Sequence, residues 1–334
     1  MRFLIKLLVL LAVLFCGWWA LASYGVSQAI SSWAEDANTQ GWQVKAETTQ
    51  SGFPFNIRTN VAAFEVLDTA TQSLVKAKGA KVSARTYWPG YVDIDLPETP
   101  MVFADAAQLT SLQTTDGKAT LRLRPGFAFE LRTATLNASD WVILLNQAAL
   151  ISGEAFTFAA RQDGEVRARY DIVLQANGLT PGHLPRRLLS LPASWPNTFE
   201  AFTATGSVTF DAPLTRRALD EVPPQLRGLS ITEADVVWGG LALRAIGDLS
   251  VDAQGTPTGT LNFQARNWRG LLDLAESGGV LPQGQRGQME LMLSLLATRS
   301  GRPEDMDIDL TFEGGRMALS GIPLGPAPRF LFNN

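Results

Sequence analysis

The sequence predicts a mainly β fold in which large, twisted antiparallel sheets curl around an apolar interior, groove-like or sandwich-like, with a few helices and an N-terminal membrane helix. Short segments of alternating apolar and polar residues recur along most of the chain, and Tyr91 to Leu96 is the clearest of them. Turn-forming residues separate these segments at intervals of about 8–12 residues, which is typical of all-β proteins. Hydrophobic residues make up 46% of the chain and charged residues only 18%. This apolar surplus indicates a large core, a membrane segment or an apolar groove.

Charge and residue counts argue against several functional classes. The 334 residues carry a formal net charge of −4, so we expect no nucleic-acid partner. Cys16 is the only cysteine, and the sequence therefore predicts neither a disulfide framework nor a thiolate zinc site. His183 is the only histidine and stands in a loop between two prolines. We interpret it as an ordinary loop histidine.

The acidic residues give no metal or catalytic signature. Asp305, Asp307 and Asp309 alternate along a predicted strand and share one face. A calcium loop would also need a glycine turn and a distal glutamate, and neither follows at the required spacing. The chain has no Gly-x-Ser-x-Gly motif. We therefore predict no metal, no cofactor and no enzymatic activity, although a mechanism that uses carboxylates alone stays open.

The first 25 residues are predicted to be a targeting segment. Residues 7–22 carry no charge, and Arg2 and Lys6 precede them. This pattern is typical of a signal peptide, with a cleavage site at Ala20-Leu21-Ala22. It is also typical of an uncleaved transmembrane anchor, which is favoured by aromatic residues at its outer end, namely Trp18, Trp19 and Tyr24.

The basic start of the targeting segment also sets the orientation. Arg2 and Lys6 keep the N-terminus in the cytoplasm, so the rest of the chain is expected outside it. The predicted location is the inner membrane with the bulk of the chain in the periplasm, or the periplasm alone if the segment is cleaved. After this segment, apolar residues at helical spacing predict a helix over residues 27–39.

The following region, residues 26–176, is predicted to be an N-terminal β-rich half. Its predicted strands are 43–48, 56–67, 73–85, 91–96, 101–104, 119–123, 127–136, 153–161 and 167–176. Gly79 is interpreted as a bulge within the third of them, and residues 88–90 as a turn before the fourth. Asp163-Gly164 is a strong hairpin signal. Residues 141–150 are compatible with either a helix or a buried strand.

Residues 177–334 are predicted to be a C-terminal β-rich half with helical insertions. Four prolines between residues 177 and 196 break the alternating pattern and mark the boundary. The predicted strands are 202–210, 231–238, 241–251, 258–265, 306–312 and 316–319. The predicted helices are 186–190, 214–222, 268–277 and 285–298.

Phenylalanines recur in pairs on the predicted strands. Phe127 with Phe129, and Phe156 with Phe158, stand two residues apart and so point to one side of their strands. One interpretation is an ordinary sheet packed under helices. The other is an apolar concave face that holds an acyl chain, with these four residues facing the lipid.

Four short motifs, in this order, resemble a known family. They are a Gly-Phe-Pro-Phe turn at 52–55, a Val-Trp-Gly-Gly-Leu hairpin at 237–241, an Asn-Trp-Arg-Gly-Leu-Leu helix start at 267–272 and an Ile-Pro-Leu-Gly-Pro-Ala-Pro tail at 322–328. Together they resemble the bacterial domain-of-unknown-function family 2125 (DUF2125). The resemblance implies an envelope location and a β-rich fold, and it supplies no catalytic residues. The strand-turn-strand unit at 245–261 is also similar to AsmA-like envelope proteins, which implies curled sheets that guide lipids.

These observations lead to two functional expectations. The first is a membrane-anchored periplasmic protein that binds or guides lipid in cell-envelope homeostasis, with the inner membrane and phospholipid or another lipid as partners. The alternative is a non-catalytic scaffold that binds other envelope proteins. Bound lipid would favour the first expectation, and a partner recovered by crosslinking would favour the second.

Overall fold

The computed structural model describes residues 24, 28, 32, 34–35, 37–39, 41–126, 128–188, 195–220, 223–277, 284–299 and 305–331. The chain divides into two compact units. The first unit contains Met1–Leu123 and Val142–Gln147, and the second contains Arg124–Trp141 and Ala148–Asn334. Antiparallel strands dominate both units, and helices are few, so the predicted mainly β class is confirmed.

The first unit is built on strand β2, which pairs with three other strands. Its strands are β1 (Trp42–Ser51), β2 (Asn56–Asp68), β3 (Ser73–Ala77), β4 (Ala80–Arg85), β5 (Trp88–Asp95), β6 (Met101–Ala104), β7 (Leu109–Thr115) and β8 (Lys118–Leu123). On one side β2 pairs with β1. On the other side it pairs with β3 and β4 in succession. The sheet continues from β4 through β5 to β8, and from β3 through β6 to β7.

Gly79 separates β3 from β4, where the sequence predicts one bulged strand. Its φ is +84°, a backbone conformation that favours glycine. The Gly79 amide still donates a hydrogen bond to the Val61 carbonyl, at 2.9 Å. The chain therefore stays beside β2 across the interruption. The predicted turn at residues 88–90 is wrong, because β5 already begins at Trp88 and the turn lies at Thr86 and Tyr87.

The second unit contains an antiparallel meander. Its strands are β9 (Leu131–Ala138), β11 (Ala148–Gly153), β12 (Ala155–Gln162), β13 (Arg169–Pro181), β14 (Phe199–Phe210), β15 (Leu226–Trp238), β16 (Leu241–Val251), β17 (Pro257–Arg266), β18 (Asp305–Glu313), β19 (Arg316–Leu319) and β20 (Ile322–Pro326). Strand β12 pairs with β9 and with β13. From β13 to β20 each strand pairs with the next one in the chain. Short β11 pairs with the far end of β13.

The segment 141–150 forms neither a helix nor a single strand. It contains the end of β10 (Asp140–Leu145) and the start of β11, and β10 crosses from one unit to the other. Asn146 and Gln147 join the two strands with φ values of +49° and +69°. Two consecutive positive φ values are the mark of a type I′ hairpin turn. Residues 141–145 are all apolar and contain no turn-forming residue, so the sequence does not indicate a turn at this point.

After the first strand, the described helices lie in connections between strands. They are α1 (His183–Leu188), α2 (Arg217–Asp220), α3 (Trp268–Ser277) and α4 (Arg286–Arg299). The predicted helices over 268–277 and 285–298 are confirmed, whereas α2 begins at Arg217, three residues after the predicted start at 214, and residues 221–222 of that prediction lie outside the described residues. Trp268 is fully buried and Leu272 is 6% exposed, and they form a core cluster with Ala265 and Met306 of the sheet.

The predicted N-terminal membrane helix falls mainly outside the described residues. Of residues 1–25 the structure describes only Tyr24. Within the described part of the chain, no helix is long and apolar enough to cross a membrane. The described residues between 27 and 39 are all helical, in agreement with the helix predicted there.

Candidate functional site

Phe156 and Phe158 lie on β12 and point to the same face of the sheet in the second unit. Phe156 packs edge-on against Trp141, with ring centroids 5.9 Å apart. Phe129 precedes β9 and has a φ of +47°, so the strand predicted over 127–136 is wrong in its first residues and begins only at Leu131. Phe127 lies outside the described residues. The structure thus places one of the two predicted phenylalanine pairs together on a sheet face.

Cross-strand neighbours extend this face over eight strands. Starting from Phe156, the register gives the row Ala138, Phe156, Ala176, Phe202, Val236, Leu243, Ala265 and Met306. Starting from Phe158, it gives the row Leu136, Phe158, Leu174, Ala204, Ala234, Ala245, Phe263 and Ile308. Both rows are entirely apolar. We call the side of the sheet that carries them the apolar face.

The opposite side of the same strands is polar. The row displaced by one residue from the Phe158 row contains Asn137, Thr157, Gln175, Thr203, Asp235, Arg244, Gln264 and Asp307. Arg244 forms ion pairs at 2.8 Å with both Glu233 and Asp235. The hydrogen bond that Arg244 donates to Asp235, together with the charges of both carboxylates, raises the pKa of the Arg244 guanidinium. When a sheet has one apolar and one charged side, the apolar side is either covered by other parts of the protein or serves as a binding surface.

Small residues occupy the middle of the apolar face. Ala204, Ala234 and Ala245 lie side by side on β14, β15 and β16. Next to them, Gly206 and Gly247 continue the same strands on the same face. Larger side chains flank this strip, with Phe158 and Leu174 on one side and Phe263 and Ile308 on the other. The strip is therefore a low region between bulky apolar walls.

Bulges shape the sheet beside this strip. The register shifts between Thr205 and Gly206 in the β14–β15 pair, and between Ile231 and Ala234 in the β15–β16 pair. Bulges of this kind increase the local twist and bend the strand that carries them. A Cβ atom on Gly206 would lie 2.1 Å from the Ser230 carbonyl oxygen, so the close approach of the two strands requires glycine there.

Helices α3 and α4 and the C-terminal tail cover the outer part of the apolar face on β16 to β18. Helices α3 and α4 cover Leu243, Ala265, Met306 and Ile308 with Trp268, Leu272, Met289 and Leu293. The C-terminal tail brings Ala327 against the cluster of Leu249, Leu261 and Phe312. The tail is held by the Phe330 amide, which donates a hydrogen bond to the Gly255 carbonyl at 2.8 Å. The row through Phe158 stays partly exposed at every position.

A buried polar network borders the apolar face where β12 ends and β13 begins. Gln162 and Tyr170 are opposite each other and lie on the apolar face, with 6% and 1% exposure. The Gln162 amide donates to Glu130 Oε1 at 2.5 Å, and Gln162 Oε1 accepts from Arg124 at 2.5 Å. Arg167 forms a two-pronged ion pair with the Glu130 carboxylate. Glu130 is 3% exposed, so these cations and the amide satisfy a buried charge.

Tyr170 ties the network to the chain around Leu214. Its hydroxyl donates to the Leu131 carbonyl at 3.3 Å and accepts from the Leu214 amide at 3.0 Å. Burial raises the pKa of the Tyr170 phenol above its ordinary value, and the hydrogen bond from Leu214 opposes part of that shift. The Leu131 amide also donates to the Leu214 carbonyl, at 2.8 Å. The network therefore holds the segment before α2 against this end of the sheet.

The histidine and the alternating aspartates singled out in the sequence have the following surroundings in the described residues. His183 is exposed at the start of α1. Asp307 and Asp309 are exposed on β18, and Asp309 accepts a hydrogen bond from Asn262 at 2.9 Å. Among the described residues, no group of three or more His, Cys, Asp or Glu side chains is arranged to hold a metal ion.

The family comparison covers both units. The sequence profile of the family described as "Uncharacterized protein conserved in bacteria (DUF2125)" matches residues 19–328. The chain belongs to this family. The DUF2125 match runs from the N-terminal segment through all of the strands described above, so it takes in the whole apolar face and the buried network. No curated protein matches the chain.

The sequence alone indicates only a small part of the DUF2125 apolar face. The phenylalanines are recognisable in it, whereas the small residues of β14 to β16 are not, although Ala204 and Gly206 stand at the two-residue spacing of one strand face. The polar network gave no comparable signal. Glu130 and Arg124 lie in a loop, and their partners are far away in sequence, so only the pairing of β9 with β12 brings them together.

Proposed function

We propose that this DUF2125 protein is anchored in the inner membrane and binds or guides lipid on the periplasmic side, with an acyl chain lying on the apolar face. The observation that supports this proposal is the unbroken, partly exposed apolar row through Phe158, which crosses eight strands. At a strand spacing of about 4.8 Å, the part of this row from Leu136 on β9 to Ala245 on β16, beside the covered outer part, is roughly 24 Å long, which is long enough for a whole acyl chain.

The geometry of the face suggests how a chain would be held. The methylenes would lie over Ala204, Ala234 and Ala245, between the walls made by Phe158 and Phe263. Each buried methylene contributes about 0.8 kcal/mol, so ten of them give about 8 kcal/mol before the cost of association is subtracted. Once the cost of association is subtracted, a gain of this order corresponds to weak, reversible binding.

The membrane location rests on sequence features of the first 25 residues. Arg2 and Lys6 before the uncharged run at 7–22 favour a cytoplasmic N-terminus and a periplasmic bulk, either anchored or released by cleavage. We also propose that residues 245–261 form an AsmA-like unit, a group that is associated with curled, lipid-guiding sheets. The chemistry required is binding alone, with no catalytic residue.

The experiment that tests the proposal blocks the strip of small residues. Ala245→Trp would fill the low region, whereas Ala242→Trp places the same side chain on the same strand but on the polar side. The purified full chain is incubated with a phospholipid that carries a photoactivatable group in its acyl chain, and the crosslinked peptides are identified by mass spectrometry. We expect Ala245→Trp to lower crosslinking to peptides of β12 to β17 at least tenfold and Ala242→Trp to leave it unchanged.

Peptide mapping keeps lipid bound at the N-terminal segment apart from lipid on the sheet. Thermal unfolding of both variants establishes that each is folded. Equal crosslinking of β12 to β17 in the two variants, or crosslinks confined to the N-terminal segment, would overturn the proposal. In that case the scaffold function becomes the better explanation of the fold.

A further inference from the structure

A second apolar surface lies in the first unit, at one end of its sheet. Two turns meet there, at residues 52–56 between β1 and β2 and at residues 86–87 between β4 and β5. They expose three aromatic side chains: Phe53 is 53% exposed, Phe55 is 66% exposed and Tyr87 is 68% exposed. We call these three residues the aromatic tip. Single exposed apolar residues are common, but a cluster of large ones marks an interaction surface.

The two turns are fastened to each other by a buried threonine. Thr86 is 2% exposed, its amide donates to the Phe55 carbonyl at 3.1 Å, and its hydroxyl donates to the Pro54 carbonyl at 3.1 Å. The first turn is closed by the Asn56 amide, which donates to the Gly52 carbonyl at 3.1 Å. These bonds fix the backbone of the aromatic tip, so the rings are held outward by the fold.

Gly52 makes this turn possible. Its φ is +101°, and a Cβ atom on it would lie 2.8 Å from the Asn56 carbonyl oxygen. Both the conformation and the close approach therefore require glycine. Because the turn depends on this glycine, the folded backbone itself sets the outward direction of Phe53 and Phe55.

Arginines surround the aromatic tip, and acidic residues are missing from it. Residues 51–58 and 83–91 contain Arg58 and Arg85 and no Asp or Glu, although the whole chain has a net charge of −4. Both arginines are exposed, and neither forms an ion pair with a described acidic residue. The Arg58 side chain lies along Gly52, 3.1 Å from where a Cβ would be, and Arg85 pairs in register with Asn56. The local charge is therefore positive, beside exposed rings.

We infer that the aromatic tip is a docking surface for an anionic lipid bilayer, with Phe53, Phe55 and Tyr87 at the headgroup boundary and Arg58 and Arg85 on acidic headgroups. Aromatic side chains favour the membrane interface, where one part of the ring is in apolar and another in polar surroundings. Basic residues at that depth are attracted by the surface potential of anionic lipids. A cluster that combines the two properties fits a bilayer surface better than it fits water.

This surface is distinct from the apolar face. The aromatic tip belongs to the first unit and would touch the membrane from outside, whereas the apolar face belongs to the second unit and would take up a single acyl chain. Binding at the aromatic tip does not require lipid on the sheet, so each proposal can fail while the other stands.

An environment-sensitive fluorophore on the aromatic tip tests the inference in the full chain. Cys16→Ser removes the natural thiol, and Phe55→Cys or Tyr87→Cys then provides one labelling site in each of the two turns. Phe103→Cys is the matched control, because Phe103 is a 43% exposed aromatic on β6 of the same unit. The labelled chain is reconstituted into vesicles of phosphatidylglycerol and phosphatidylethanolamine, and separately into vesicles of phosphatidylcholine.

In the anionic vesicles, labels at 55 and 87 should shift to shorter emission wavelengths and be quenched by nitroxides on the acyl chains, while the label at 103 should do neither. Exchanging both arginines, Arg58→Gln with Arg85→Gln, should lower the inserted fraction by about fivefold for each arginine. Phosphatidylcholine or high salt should have a similar effect. The inference is overturned if labels at 55 and 103 respond equally, or if the response at 55 is the same in both kinds of vesicle.

Discussion

At the scale of single residues, the network around Glu130 places a carboxylate in the interior of the second unit, where an unpaired charge would be costly. A carboxylate with 3% exposure is stable only when cations and hydrogen-bond donors replace its water. Arg167 and Gln162 provide them, and Gln162 is held in turn by Arg124 and by the Arg167 carbonyl, which accepts its amide at 2.7 Å. Each side chain in the network supplies hydrogen bonds to its neighbour, so removal of any one of them leaves buried polar groups without a partner.

Tyr170→Phe tests how much the network contributes to stability. The substitution keeps the ring but leaves the Leu214 amide and the Leu131 carbonyl without their partner. We expect the free energy of unfolding to fall by about 1–3 kcal/mol, measured by urea denaturation. Tyr87→Phe is the control, since Tyr87 is 68% exposed, and it should change the stability by less than about 0.5 kcal/mol. Equal stabilities of the two variants would contradict the prediction.

The Tyr170 phenol also lowers the free energy of unfolding at alkaline pH, when it loses its proton. The pKa of Tyr170 is raised above its ordinary value of 10.0, so the folded protein holds the proton more tightly than the unfolded chain does. Its contribution is fully present below pH 10 and is lost as the pH rises through the raised pKa. In Tyr170→Phe this part of the alkaline loss should be absent, so the free energies of unfolding of wild type and variant should converge above pH 10.

At the scale of elements, strands with strong alternation could be predicted from the sequence, and strands without it could not. Strand β16 was predicted at its observed bounds, because apolar and polar residues alternate through most of it. Strand β7 was missed because polar residues dominate Leu109–Thr115. Strand β20 contains two prolines, which the backbone tolerates because β20, among the described strands, pairs only with β19 and so lies at an edge.

The extent of the apolar face could not be predicted, because it depends on pairings distant in sequence. Phe158 stands opposite Leu136 on β9 although β10 and β11 lie between them in the chain. Alternation within one strand indicates which residues share a face. It does not indicate which strands are neighbours or whether a helix covers them, so the small residues at the centre of the face gained meaning only from the register.

The β10–β11 turn gives a prediction for one element. Gln147 has a φ of +69°, which costs a residue with a side chain roughly 1 kcal/mol. We expect Gln147→Gly to raise the free energy of unfolding by about 0.5–1 kcal/mol, measured by urea denaturation. Gln108→Gly is the control, since Gln108 is exposed in a loop and has no positive φ, so glycine should slightly destabilise it. Destabilisation by both substitutions would contradict the assigned turn.

At the scale of the whole molecule, each unit keeps a different apolar surface. The first unit exposes three rings on two fastened turns, and the second exposes a row of apolar residues across a sheet. In both places neighbouring polar or charged residues are present: Arg58 and Arg85 beside the rings, and a charged opposite face behind the row. The high apolar content of the sequence is therefore only partly used in cores, and another part of it lies on these two surfaces.

Trp268→Ala tests whether the cover of the apolar face supports only its own unit. Trp268 is fully buried against Ala265 and Met306, and loss of a buried tryptophan costs about 3–5 kcal/mol. We expect amide hydrogen exchange, measured by mass spectrometry, to accelerate in β16 to β18 and to stay unchanged in β1 to β8, because the two units have separate strand pairings around these elements. Trp42→Ala removes a 42% exposed tryptophan of β1 and should leave exchange in β16 to β18 unaltered. Equal acceleration in both units after Trp268→Ala would contradict this expectation and would mean that the chain unfolds as one cooperative body.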